Sequence, residues 1–336
     1  MIERRHARLA AVAVHLPDTL LGTAELEERL AERNPGVRIP RGLIEHTTGV
    51  AYRHVAAPGQ QASDLAAAAA HDVLAQSGHS ASQVDLVMYA GVTVDAVEPA
   101  TAHLVAAKAG LTCPVFDVRN ACNSLLVALE LAEALIAAGR YSTILVTCGE
   151  IATPAMTWHL PSAAAFEAAI PSYTVSDSGA ALLVEAAAEP GIIAHRACAD
   201  STGFDAAIVP ITRTEDGGYH SGPFTVDFFR LAAAVLRLDP AHISAPLIEN
   251  GLTWQDLATI CVHQASMSSV GTFCNRFGIP ADKVEITVAE HGNLVACTLA
   301  AQLAQAAKAG RLRRGDLVAL VGLASGVSAA TMLVRW

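Results

Sequence analysis

Nowhere in the 336 residues is there an apolar run of the roughly 20 residues that a membrane-spanning helix needs. The longest runs, such as Leu65–Ala70 and Leu317–Leu323, stop well short of it, so no membrane span is expected. No CxxC pair occurs among the seven cysteines, at 113, 122, 148, 198, 261, 274 and 297; their odd count and scatter argue against a disulfide scaffold or a zinc site. A reducing cytoplasm is the expected setting, and no metal is implied. Aromatic residues make up only 5% and charged residues 16% of the chain, and no aromatic-basic cluster offsets the net charge of −10. Nucleic acid is therefore not an expected partner. There is also no low-complexity linker, which points to one compact body.

What the chain has in abundance is alanine. It is a large part of the 52% hydrophobic content, which gives a mean hydropathy of +0.38 and a core large enough for two domains or halves. The opening MIERRHARLAAVAVHLP reads as a first core strand, because its apolar stretch is short and broken by His15 and Pro17. Hydrophobic runs between turn signals predict strands near Leu86–Val92, Val115–Val118, Thr143–Thr147 and Ala180–Val184, with a helix over Ser63–Gln76. A second set follows: a helix over Val226–Leu238, a strand over Leu257–Val262, helices from about Ser266 and after Asn293, and strands Leu317–Val321 and Ala329–Val334. The alternation predicts α/β layers in two similar halves, 1–190 and 191–336. The segments Thr153–Ser172 and Arg213–Phe224 have the composition of loops over a site.

The echo between the halves is sharpest at VFDVRNAC followed by SLLVALELAEALIAAG, and at TICVHQAS followed by VGTFCNRFG. Each is a buried strand that delivers a reactive side chain to a helix start. Cys122 therefore sits where helix N–H groups and the helix dipole are expected to favour a thiolate nucleophile, whereas the other six cysteines read as packing. His263, at the end of its strand, could face the same cavity. Asn293, in EHGNLVACTLA, lies in a polar turn before a helix and by itself reads better as a helix cap.

Together, DVRNAC, HQAS and HGN, in that order, resemble the nucleophile, histidine and asparagine turns of the β-ketoacyl-acyl carrier protein synthase III family of the thiolase superfamily. The likeness runs from HLPDTLLGTAELEERL through TTGVAYRHVAAPGQ and SDSGAALL to ASGVSAATMLVRW. It implies a five-layered α/β/α/β/α thiolase fold and a homodimer whose interface lies near Glu98 and the strand before the nucleophile. It implies no cofactor. Cys122 would accept an acyl group from a thioester on coenzyme A or an acyl carrier protein. His263 and Asn293 would donate hydrogen bonds to the enolate formed when a malonyl group loses carbon dioxide. The backbone N–H groups of Cys122 and Ser325 would form a second oxyanion site. LASGVS lacks the second cysteine of thiolases, and His291 lies two residues from where an elongating ketosynthase would place its second histidine. His291 and Asp177 read as structural.

The chain also departs from that pattern. Leu43 and Thr47 stand where the family clamps the coenzyme A adenine with Trp and Arg, and Ser268 replaces an arginine beyond the histidine turn. Arg53 and Arg276 are then the candidate phosphate or carrier contacts, and Arg311, Arg313 and Arg314 form a basic cluster that an acidic carrier could meet. In the acyl pocket, Glu98 and Leu323 replace family phenylalanines, so either Glu98 turns to solvent or the acyl group is polar. These departures suggest a specialised member in secondary metabolism. They leave open transfer of the acyl group from Cys122 to a hydroxyl or amine instead of condensation, and, more remotely, a non-catalytic partner subunit.

Overall fold

A computed structural model describes residues 5–336. The first strand, His6–His15, shows how the sequence builds its layers. Ala7, Leu9 and Val12 face the middle of the molecule, whereas Ala11 and Ala13 face outward. A register shift between Leu9 and Ala11 produces the switch, as one extra residue in a strand reverses every side chain beyond it.

This strand borders a five-stranded sheet whose order is His6–His15, Ser178–Ala187, Thr143–Glu150, Leu86–Tyr89 and Val115–Asp117. The first two pairings are antiparallel and the last two parallel. A four-stranded sheet follows in the order Thr259–Val262, Leu317–Ala324, Ser328–Arg335 and Ile192–Ala199, with only the first pairing parallel. Helices Ser124–Ala137 and Thr298–Lys308 lie between the sheets and share one buried cluster with both. Helices Ala62–Ser77 and Thr101–Ala109 cover the outer face of the first sheet, and Pro240–Ile248 and Met267–Phe277 that of the second. The five layers are those of the thiolase fold.

Glycines in the first sheet let its outer helix sit this close. A Cβ built on Gly149 would lie 2.0 Å from Ala62 O, and one on Gly179 would lie 2.1 Å from Leu65 O, so the outer helix rests directly on sheet backbone. Helix Phe228–Arg237 falls inside the expected Val226–Leu238. The segment expected as a loop over 153–172 instead contains helix Ala163–Ala169. Its Phe166 and Ile170, with Tyr173 just beyond, pack with Leu26 and Leu30 of helix Thr23–Arg33 in a separate cluster. Among the described residues no single helix is long and apolar enough to cross a membrane.

Candidate active site

Three turns carry the sequence-predicted residues, and each is tied down by bonds that leave its reactive atom uncommitted. The nucleophile turn leaves strand Val115–Asp117 and bends at Ala121, which takes the left-handed φ of 47°. A side chain in that region costs about 1–3 kcal/mol of backbone strain, so the surroundings must hold it. Ser124 does part of this. Its Oγ accepts the Asn120 N–H at 2.8 Å and donates to Ala121 O at 2.7 Å. Asn123 does the rest, donating through Nδ2 to Ser328 O at 3.1 Å and Ser328 Oγ at 3.0 Å. Gly322 is required beneath it, because a Cβ there would fall 2.0 Å from Asn123 Oδ1.

The Cys122 thiol is pushed up to about 12, first by burial, then by the negative charge of Glu150, with its own backbone N–H acting in the other direction. The residue keeps partial exposure, but its sulfur is desolvated. Against the expectation of a resting thiolate, loss of hydration at this helix start favours the thiol. Glu150, which the sequence reading passed over, is fully buried. It accepts Val92 N–H at 2.8 Å, Thr93 N–H at 3.1 Å and Thr93 Oγ at 3.0 Å, and also the Ala296 N–H. Burial still raises it to about 7.

His263 closes strand Thr259–Val262, where its N–H donates to Val321 O at 2.8 Å on the neighbouring strand. Burial lowers its imidazole to about 4, and its Nδ1 is buried without a partner. The next residue, Gln264, fixes the turn: Nε2 donates to Glu285 O at 2.6 Å, and Oε1 accepts Thr287 N–H at 3.0 Å and Val288 N–H at 3.1 Å. Those bonds link the histidine turn to the segment that leads into Asn293.

Asn293 is buried, with its N–H on Thr174 O at 2.7 Å and its carbonyl accepting Ser176 N–H at 3.0 Å. Its side-chain Oδ1 accepts Val295 N–H at 3.0 Å. Because a backbone N–H can only donate, that bond fixes the amide orientation and leaves the Nδ2 hydrogens for another acceptor. Capping and a second role are thus compatible in one side chain.

The remaining predicted residues separate. Ser325 opens the turn between the last two strands, ahead of Gly326 at φ 111°. Leu323 is half-buried against the outer cluster of the second sheet, and Glu98 is exposed beside Val97. Arg53 is corrected: it is fully buried and donates to Leu21 O at 3.1 Å and Thr23 Oγ at 2.7 Å, so it cannot meet a phosphate or a carrier. The three-arginine cluster stays at the surface, although two of its members are engaged. Arg311 pairs with buried Glu285, and Arg314 donates to Leu9 O at 2.8 Å and lies over the Trp336 ring. Arg276 is half-buried, donating to Leu236 O at 3.4 Å. At the expected nucleotide clamp, Ser268 Oγ donates to Thr47 O at 3.3 Å, with neither cation nor indole at these positions. Asp177 accepts Ala56, Ala152 and Thr153 N–H groups and Thr153 Oγ, each within 2.8 Å, and so pins two loops.

Layered sheets that bring a buried cysteine turn, histidine turn and asparagine turn to the two central helices define a thiolase-fold enzyme frame. Residues 116–201 match the family model for 3-oxoacyl-(acyl-carrier-protein) synthase III, and residues 247–336 match the model for its C-terminal part. The beta-ketoacyl-(acyl-carrier-protein) synthase III of Hyphomonas neptunium is 31% identical, covering 98% of this chain and 99% of its own. Its counterpart from Thiobacillus denitrificans is 30% identical over 98% of this chain and 99% of its own. Among solved structures, 3-oxoacyl-(acyl carrier protein) synthase III of Pseudomonas aeruginosa superposes with a TM-score of 0.84 at 26% identity, covering 99% of this chain and 98% of that one. A variant of OleA from Xanthomonas campestris shares the fold, with a TM-score of 0.87 at 23% identity over 99% of both chains. This chain belongs to the 3-oxoacyl-(acyl-carrier-protein) synthase III family.

Proposed function

We propose that the protein takes an acyl group from a thioester onto Cys122 and joins it to a malonyl-type thioester by decarboxylative Claisen condensation. The observation that carries this reading is the pair of neutral donors: an imidazole held unprotonated by burial, and an amide whose oxygen is already occupied. Neutral donors suit an oxyanion that appears only during reaction, where each is worth about 2.7–4 kcal/mol of barrier.

In the first stage the Cys122 sulfur attacks the thioester carbonyl while its proton passes to His263, which returns it to the departing thiol. In the second, the malonyl unit loses carbon dioxide and its enolate oxygen accepts hydrogen bonds from His263 and the Asn293 amide. The enolate carbon then attacks the acyl carbonyl. The backbone N–H groups of Cys122 and Ser325 hold the tetrahedral oxyanion, and its collapse releases the Cys122 thiolate to be protonated again.

The absence of an adenine clamp at Leu43, Thr47 and Ser268 favours a carrier-bound donor over coenzyme A. Exposed Glu98 and the edge strand Val115–Asp117 favour a second copy of this chain as the neighbour there. A cytoplasmic homodimer working in a specialised biosynthetic route fits these features.

Intact-protein mass spectrometry with a panel of acyl thioesters, followed by malonyl-carrier protein, tests the reading. An adduct that requires Cys122 and discharges with release of carbon dioxide supports it. An adduct indifferent to malonyl-carrier protein but discharged by a hydroxyl or amine would replace condensation by acyl transfer.

A further inference from the structure

His54 and His291 are 237 residues apart in sequence, yet their Nε2 and Nδ1 atoms lie 3.0 Å from each other. The two rings are 25° from parallel, with centroids 5.2 Å apart, so the contact runs from ring edge to ring edge. The direction of the hydrogen bond follows from the far end. His54 Nδ1 lies 2.7 Å from Pro17 O, which can only accept, so Nδ1 carries the hydrogen. In neutral His54 the Nε2 lone pair must then accept, and His291 Nδ1–H must donate. Burial holds both rings below the usual histidine range; Asp177 and Asp18 on the His54 side and Glu290 on the His291 side oppose this without cancelling it.

This pair stands beside the asparagine turn. His291 ends the short helix Val288–His291, and only Gly292 separates it from Asn293. A Cβ on Gly292 would lie 2.8 Å from Thr174 O and 3.4 Å from Arg53 Cβ, so the turn is pressed against the strand that carries His54. That strand is stitched to the same segment: His54 N–H donates to Ser176 Oγ at 2.8 Å, and Asp177 N–H to His54 O at 3.0 Å. The backbone of Asn293 is therefore fixed directly by Thr174 and Ser176, while the segment before it is held by the Gln264 bonds to Thr287 and Val288, by Ala51 N–H on Ala289 O at 2.8 Å, and, nearest to Asn293, by the His291 ring.

We propose that His54 and His291 are positioning residues whose hydrogen bond holds the Asn293 turn in register for its amide to meet the enolate. The inference rests on the reading of Asn293 as an enolate donor. Small displacements of a catalytic group are expensive, so losing the bond should slow condensation about tenfold while leaving acyl loading of Cys122 within about twofold.

The test uses the full chain with three readouts: acyl loading, condensation, and deuterium exchange of the peptide spanning residues 288–297. His291→Phe keeps a ring and removes the donor; His291→Asn keeps a donor at the position of Nδ1. The expected result is slowed condensation and faster exchange in His291→Phe, unchanged loading, and recovery of both in His291→Asn. His54→Asn combined with His291→Phe should be no slower than His291→Phe alone, since one bond cannot be lost twice. Unchanged exchange in His291→Phe, or no recovery in His291→Asn, would overturn the relay. Asn293→Ala separates the two ideas: if it condenses normally, the role of Asn293 falls and the relay loses its catalytic purpose, whatever the exchange shows.

Discussion

The turn that carries Cys122 and the turn that carries His263 are both strand ends buried against the same pair of central helices, yet burial moves their side chains in opposite directions. The thiol rises to about 12 and the imidazole falls to about 4. The cause is common to both, since a desolvated site disfavours whichever form is charged. At rest the site therefore holds thiol and imidazole instead of a thiolate–imidazolium pair. In the proposed reaction the difference between the halves lies in what each side chain would do once a thioester arrives: one would give up a proton, and the other would be free to take it.

The sharpest way to break this contrast is to remove the nucleophile. Cys122→Ala should form no acyl adduct with any thioester, read by intact mass, because the covalent step has no other acceptor. On the other half, His263→Ala and Asn293→Ala should each lower the condensation rate by about 10²–10³-fold, with Asn293→Ala still loading acyl groups on Cys122. A comparable loss of loading in Asn293→Ala would erase the division of labour between the turns.

Stability against pH sharpens the comparison at a smaller scale. His263 has a folded value below its ordinary 6.5, so its contribution is complete above pH 6.5 and is lost as pH falls through 4, about 3 kcal/mol in all. Glu150 works in the opposite sense: raised from 4.5 to about 7, it favours the folded state below pH 4.5 and loses that contribution as pH rises through 7. Because the two oppose each other over the same window, the readout is the difference between proteins: from pH 8 to pH 4 the urea midpoint should fall less in His263→Asn than in the parent protein. A fall as large as in the parent protein would assign the loss to other groups. Least in magnitude, Gly322→Ala should cost about 1–3 kcal/mol of overpacking and slow acyl loading, because the new methyl must displace Asn123 from Ser328. Full loading at reduced stability would show that the nucleophile turn does not depend on that anchor.

The three turns and the layered architecture were legible because each rests on local signals: a strand, a short polar motif, a helix. Partnerships across long separations were not. Arg53 reads as a surface cation next to a tyrosine and a histidine, but its acceptors lie 30 and 32 residues upstream, where a strand runs into a helix. Glu150 ends an apolar strand without any motif, and its ligands are the Val92–Thr93 backbone 57 and 58 residues away. Arg311 looks like an unpaired member of an exposed basic turn until buried Glu285 is placed beneath it. In each case the side chain's character was plain and its destination was set by tertiary packing. The resting thiol at Cys122 escaped for a related reason: a helix start is visible in sequence, but the desolvation that overrules it is a property of the assembled layers.

The central helix layer has a consequence for how this chain could be divided. The strands part cleanly near residue 190, with Ser178–Ala187 in the first sheet and Ile192–Ala199 in the second. Yet Leu129 and Leu303 belong to one continuous cluster with Leu182 and Leu320, and Asn123 is bonded to Ser328. A gene split at that point would yield two polypeptides, each with a broad greasy face and half a reaction centre. Neither could serve as a free-standing module, and activity would return only when the two fragments complemented each other in the same tube.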